Sequence, residues 1–226
     1  MPLRYRALAT DYDGTIAAEG VVDERTVAAL QRARDAGLRL ILVTGRQIDD
    51  LSTVFPHAQL FHSIVAENGA VLFDPATDEV KTLAAPPPRG LIDALRLQHV
   101  PVSIGRSIVA TDEPYADALK AAIRTHGLEW DVIYNKGSVM ALPSGVTKAT
   151  GLRAALEVWV VPAADTIAVG DAENDQVLLE MCGFAVAVAN ALPAVKQVAD
   201  LVTEASNGAG VRELIDRILP AMPAST

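Results

Sequence analysis

The chain has 226 residues, half of them apolar and 21% charged, with a formal net charge of −9 at pH 7. That length supports one large domain, or one domain with a small insertion, around a sizeable core. The acidic balance argues against a nucleic-acid binder, which usually shows a basic face, but leaves small anionic ligands open because local groups hold those.

The single cysteine, Cys182, excludes a disulfide within the chain and fits a reducing compartment. It closes an apolar helical pattern with no histidine nearby, so it reads as a core thiol rather than a nucleophile. The opening MPLRYRALATDYDG lacks the apolar stretch of a signal peptide, and no apolar run approaches the ~20 residues of a membrane span. A cytoplasmic protein without a membrane or nucleic-acid partner is expected; its oligomeric state is not readable.

Short apolar runs alternate with longer amphipathic ones, as in parallel strands covered by helices. RALAT reads as the first strand. In VDERTVAALQRARDAG, Asp23 is placed as an N-cap, Val27, Leu30 and Ala33 share a face, and Gly37 marks the stop. LRLILVTG is a continuous apolar run, as in a strand buried on both faces. QIDDLSTVF predicts a short helix, and SIVAENGAVLFD a strand, a turn at Asn68-Gly69 and a second strand.

The pattern changes at LAAPPPRG, whose three prolines read as a stiff connector. Beyond it come a helix over 89–98, two short strands turning at Gly105-Arg106, a helix with Pro114 near its start and Gly127 at its stop, and a hairpin through Asn135-Lys136-Gly137. Residues 85–145 therefore read as a compact α+β unit, inserted into a core of residues 1–84 and 146–226. The first rhythm returns after PSGVTK: a helix (147–157), the strand TIAVGD, a helix near 173–181 and the strand FAVAVAN. A helix near 191–198, the strand ADLVT and a last helix (210–219) follow, and the tail PAMPAST reads as frayed.

In open parallel α/β sheets, ligands bind beyond the carboxyl ends of the strands. Three apolar strands end in polar groups: Asp11 in DYDGT, Thr44 in LVTGR and Asp171 in GDAEND. Singly, each is an ordinary helix or turn cap; if the three strands are neighbours, all three groups face one crevice. Asp11 and Asp13 lie two apart on an extended segment, so both carboxylates point the same way. Gly14 permits a sharp departure of the backbone, and the Thr15 hydroxyl can bond back to it. In GDAEND, Asn174 and Asp175 bring further oxygens. Two carboxylates about 4 Å apart repel by roughly 4 kcal/mol at a surface-like dielectric. Magnesium resolves the crowding, since it takes a few carboxylates together with waters and a substrate phosphate.

Cations must also face that phosphate. Lys148, at the start of a helix, supplies a point charge, and Thr44, Gly45 and Arg46 offer a hydroxyl, a backbone amide and a guanidinium. His57, His62, His99 and His126 show no metal spacing, and Trp130–Tyr134 reads as a sheet face. Arg106 and Lys136, on hairpin turns, are candidates for touching a leaving group, although solvated turn residues need no such role.

DYDGT (11–15), VTGR (43–46), Lys148 and GDAEND (170–175), in this order, resemble the haloacid dehalogenase superfamily of phosphohydrolases. AENGA (66–70) and the insertion ahead of Lys148 resemble its Cof-like, type IIB branch, and the short insertion is similar to that of archaeal phosphoglycolate phosphatases. The resemblance implies a Rossmann-like parallel sheet carrying a cap domain. It implies Asp11 as nucleophile and magnesium ligand, and Asp13 as general acid and base whose backbone carbonyl reaches the metal. Thr44 and Lys148 would hold the phosphate, Asp171 and Asp175 would bind Mg2+, Asn174 would complete the substrate site, and Asn190 would end the segment FAVAVANA. The implied activity is Mg-dependent hydrolysis of a small phosphorylated metabolite, phosphoglycolate or a sugar phosphate. Alternatives are a phosphotransferase or phosphomutase on the same site, a phosphate-sensing domain without catalysis, and a phospho-accepting signalling domain, whose acidic pair would be adjacent.

Overall fold

The computed structural model describes residues 4–135 and 137–219, so Lys136 and the tail from Pro220 lie outside the described residues. The chain runs β1 (Ala7–Thr10), α1 (Glu24–Asp35), β2 (Arg39–Val43), α2 (Ile48–Val54), β3 (Ser63–Ala66), β4 (Val71–Asp74) and β5 (Glu79–Thr82). It continues through α3 (Arg89–Leu97), β6 (Ser103–Ile104), β7 (Val109–Asp112), α4 (Ala116–Thr125), β8 (Trp130–Asn135) and β9 (Ser138–Pro143). It ends with α5 (Lys148–Trp159), β10 (Thr166–Gly170), α6 (Gln176–Met181), β11 (Phe184–Ala187), α7 (Pro193–Val198), β12 (Leu201–Val202) and α8 (Asn207–Ile218).

The larger sheet has the order β12-β11-β10-β1-β2-β3-β4-β5. Its strands are parallel from β12 to β3; at one edge β4 runs antiparallel to β3, and β5 antiparallel to β4. This is a Rossmann-like α/β sheet. Its central strands read as unbroken apolar runs because helices cover both faces, and β1 is buried along its whole length. Helix α1 starts where the Asp23 carboxylate accepts the Thr26 N–H at 3.0 Å, and it buries Thr26, Ala29, Leu30 and Ala33. Val27 packs at the margin of that face.

Strand β5 (EVKT) departs from the expectations, because an exposed edge strand carries no apolar run to betray it. The expected turn at Asn68-Gly69 is present as a tight 3-10 turn over Glu67–Gly69, with Glu67 and Asn68 both at positive φ.

A second, four-stranded sheet has the order β6-β7-β9-β8. One of its faces is covered by α3 and α4, through Leu91, Leu95, Leu119 and Ile123 against Val109, Val139 and Ala141. Each such fully buried side chain contributes about 1.5–3 kcal/mol, enough together to seat both helices. Ile108, Met140 and Leu142 form another cluster with Ala66, Ala70 and Val71, so this sheet packs over the β3–β4 turn.

Candidate active site

Strand β1 lies between β10 and β2, with Thr10 beside Val169 on one side and Leu42 on the other. Asp11, Thr44 and Asp171 each follow one of these strands by a single residue, so all three emerge at the same edge of the sheet. After Asp11 the chain turns back on itself: the Tyr12 carbonyl accepts N–H bonds from Thr15, Ile16 and Ala17, and Gly14 sits at φ +87°.

Carboxylate oxygens of Asp11, Asp171 and Asp175 come within 4.8 Å of one another, and all three residues are buried. Hard oxygen donors at this density suit a divalent cation such as magnesium. Each member is held from behind. The Thr15 hydroxyl donates to Asp171 Oδ1 at 3.1 Å, and Asn190 Nδ2 reaches Asp171 Oδ2 at 3.5 Å while donating to the Gly14 carbonyl at 2.7 Å. Thr15 therefore serves the neighbouring strand's aspartate, and not its own backbone as the sequence pattern had indicated. Asp175 folds back under Asp171, its Oδ2 accepting the N–H groups of Asp171 at 2.9 Å and Ala172 at 3.0 Å. A side chain at Gly170 would block this, since a Cβ there would stand 2.5 Å from the Asp175 Cβ.

Lys148 opens α5, capped by a reciprocal Thr147–Thr150 pair. Its Nζ donates to Asp11 Oδ1 at 2.6 Å and to Asp175 Oδ1 at 2.5 Å. Burial opposes the lysine's charge, but the two carboxylates more than offset it and hold its pKa above the ordinary value. Burial pushes the Asp11 carboxyl up to about 7, countered by Lys148 and reinforced by Asp175 and Asp171.

Asp13 stands apart from the three-acid group. Its two oxygens accept from Arg46 Nε at 2.7 Å and Nη2 at 2.8 Å, and Arg46 Nη1 donates to Asp50 at 2.6 Å. The guanidinium expected at a phosphate is thus committed to carboxylates. Thr44 is buried, with its hydroxyl accepting the Arg46 N–H at 3.1 Å. Asn174 Nδ2 donates to Asn68 Oδ1 at 2.8 Å, and its own buried Oδ1 has no hydrogen-bond partner among the described residues. Asp11, Asp13, Gly45 and Arg46 line a crevice of about 370 Å³ whose opposite wall is Ser103, Ile108, Ala110, Asn135, Ser138 and Met140 from the second sheet. That wall was not foreseen, since nothing in a lone sequence marks which hairpin face looks inward. Arg106 meets the core through its backbone, as described below; Lys136 lies outside the described residues.

Oxygen donors and a buried ammonium at the ends of adjacent parallel strands define an α/β enzyme that handles phosphoryl groups. The sequence profile of the haloacid dehalogenase-like hydrolases matches residues 8–87 and 92–215, and the chain belongs to this family. Within it the chain stands with the phosphoric monoester hydrolases. It is 33% identical over 224 residues to a phosphoglycolate phosphatase of Methanothermobacter thermautotrophicus, covering 95% of this chain and 99% of that protein. It is 33% identical over 223 residues to phosphoglycolate phosphatase 2 of Saccharolobus solfataricus, covering 94% and 91% respectively. A solved haloacid dehalogenase-like hydrolase from Bacteroides thetaiotaomicron superposes with a TM-score of 0.81 at 21% identity, over 95% of this chain and 100% of that one. Among the described residues no helix is long and apolar enough to cross a membrane.

Proposed function

We propose that this protein is a cytoplasmic, Mg2+-dependent phosphatase that hydrolyses a small phosphorylated metabolite, phosphoglycolate or a sugar phosphate, through a phosphoryl group carried on Asp11. The observation that carries the reading is Lys148 bonded to both Asp11 and Asp175 inside a buried three-acid cluster. The names of the two archaeal relatives support phosphoglycolate as the first substrate to test. A crevice of about 370 Å³ supports a small ester over a polymer or phosphoprotein. The free cysteine, whose thiol burial pushes up to about 12, supports a reducing location.

In this reading residues 85–145 are a cap over a core of 1–84 and 146–226, supported by the two separate sheets. The carboxylates of Asp11 and Asp171 would hold the metal. Asp175, with oxygens given to Lys148 and two backbone amides, serves chiefly to fix that lysine. Asp13 would add its backbone carbonyl to that set. Bound there, magnesium supplies positive charge against the phosphate and the crowded acids. Among the described residues the buried Oδ1 of Asn174 has no partner, which suits a bound donor such as an ordered water.

Asp11 attacks phosphorus in line, the bond to the ester oxygen breaks, and Asp13 gives its proton to the departing alcohol. Lys148, the Thr44 hydroxyl and the Gly45 amide hold the phosphoryl oxygens. Water then attacks the same phosphorus, Asp13 takes its proton, and Asp11 leaves as a free carboxylate beside orthophosphate. Arg46 has to release Asp13 for either proton transfer, so substrate entry and the exchange of that ion pair are linked.

The test is phosphate release from a panel of phosphorylated metabolites, with magnesium and with chelator. Wild type should release phosphate only with the metal, and Asp11→Asn should lose on the order of 10³-fold or more in kcat. A mutant as fast as wild type would remove Asp11 from the reaction, and phosphate appearing on an added alcohol rather than in water would make the enzyme a transferase.

A further inference from the structure

The segment AENGA has no role in the chemistry above, yet it touches both walls of the crevice. Glu67 is only 1% exposed and sits at φ +51°, followed by Asn68 at φ +53°. Non-glycine residues hold such angles only where surrounding contacts enforce them. On the core side, the Glu67 N–H donates to the Arg46 carbonyl and the Asn68 N–H to the Thr44 carbonyl, each at 3.0 Å. On the other side, Glu67 Oε1 accepts the Arg106 N–H at 2.9 Å and Oε2 accepts the Ser107 N–H at 2.8 Å, both in the β6–β7 turn. Asn68 Nδ2 meets the Met140 sulfur at 3.1 Å. Gly105 is what lets the turn come this close, because a Cβ there would stand 2.6 Å from Glu67 Cδ.

We infer that the Glu67 carboxylate is the pivot on which the second sheet is held over Asp11, making Glu67 a positioning residue for the closed crevice. The inference rests on the phosphatase reading for its consequence but not for its geometry. Two adjacent backbone amides clasp one buried carboxylate, and parting them would leave that group buried without partners, so the contact persists. At the crevice rim the tie is of another kind: Gln47 Nε2 donates to Ser103 Oγ at 2.8 Å, a single solvent-exposed bond. Gln47 and Ser103 both line the crevice and Glu67 does not. The rim bond therefore parts to admit an ester while the Glu67 clasp stays made, and the Thr44–Arg46 segment is registered to the swinging wall through the same residue.

The test compares wild type with Glu67→Gln, which keeps one acceptor, with Glu67→Ala, and with Gly105→Ala, which pushes the turn away while leaving Glu67 intact. Amide hydrogen exchange reads the clasp directly. The Arg106 and Ser107 amides should both lose protection in Glu67→Ala and Gly105→Ala, and one of the two in Glu67→Gln, while β9 amides keep theirs. Kinetics read its purpose: kcat for the small ester that wild type cleaves fastest should fall about ten- to a hundredfold, whereas p-nitrophenyl phosphate, whose reactive leaving group depends less on a closed and oriented site, should change by less than about twofold. Equal losses on both esters would show a merely structural residue, and unchanged protection of the two amides in Glu67→Ala would end the proposal. If wild type cleaves no ester at all, the phosphatase reading fails, while the exchange result still decides the pivot.

Discussion

The ammonium of Lys148 stands 2.6 Å from Oδ1 of Asp11, with both side chains sealed from solvent at 2% and 7% exposure. A buried charge pair of this kind is costly to halve, at about 3–5 kcal/mol, because the partner is left uncompensated. Lys148→Ala should therefore lower the urea-unfolding stability of the metal-free protein by about that amount. Added magnesium should restore part of the loss, since it replaces the missing positive charge among Asp11, Asp171 and Asp175.

Thr15 does no chemistry itself but orients Asp171 through its hydroxyl. Groups that orient a metal ligand typically contribute 10–100-fold to affinity. Thr15→Val keeps the shape and removes the donor. The magnesium dissociation constant, measured by calorimetry, should rise by about 10–100-fold, with the far-UV dichroism unchanged.

Gly151 in α5 lies against Gly69, where a Cβ would stand 2.5 Å from the Gly69 Cα and from Val65 Cγ1. Replacing a helix glycine with alanine ordinarily gains up to about 1 kcal/mol of helix propensity. Overpacking against backbone costs about 1–3 kcal/mol and wins here. Gly151→Ala should lower the melting temperature, and because α5 starts at Lys148, it should also reduce kcat.

His62 has its pKa lowered from 6.5 to about 4 by burial, with the charges of Arg39 and Arg34 adding to the effect. The ring is neutral in the fold, with Nδ1 accepting the Leu40 N–H at 3.0 Å. As pH falls from about 6.5 toward 4 the unfolded chain takes up a proton that the folded chain refuses, so stability drops across that window. Urea midpoints followed over the same range should fall for wild type and fall less steeply for His62→Gln.

The alternation of strands and helices was legible because a strand buried on both faces prints as an unbroken apolar run. Asp11, Thr44 and Asp171 were legible for the same reason: each interrupts such a run at its carboxyl end, where parallel sheets bind ligands. Strand β5 leaves no mark in the sequence because it is an exposed edge without an apolar signature. The pairing of Asp13 with Arg46 leaves none either, because side chains 33 positions apart meet only after two strands have been set side by side. Glu67 looked like part of a turn; its partners, Arg106 and Ser107, belong to the other sheet.

By itself, then, the sequence determined which residues stand at the strand ends and which chemistry their oxygens and ammonium can serve, since composition and periodicity act locally along the chain. Only the tertiary structure decided who holds whom: that Asp175 carries Lys148, that Thr15 serves Asp171, and that a turn glutamate joins the two sheets. Those choices depend on the direction of side chains leaving tight turns and on contacts between residues 27, 156 and 40 positions apart, which no local pattern records.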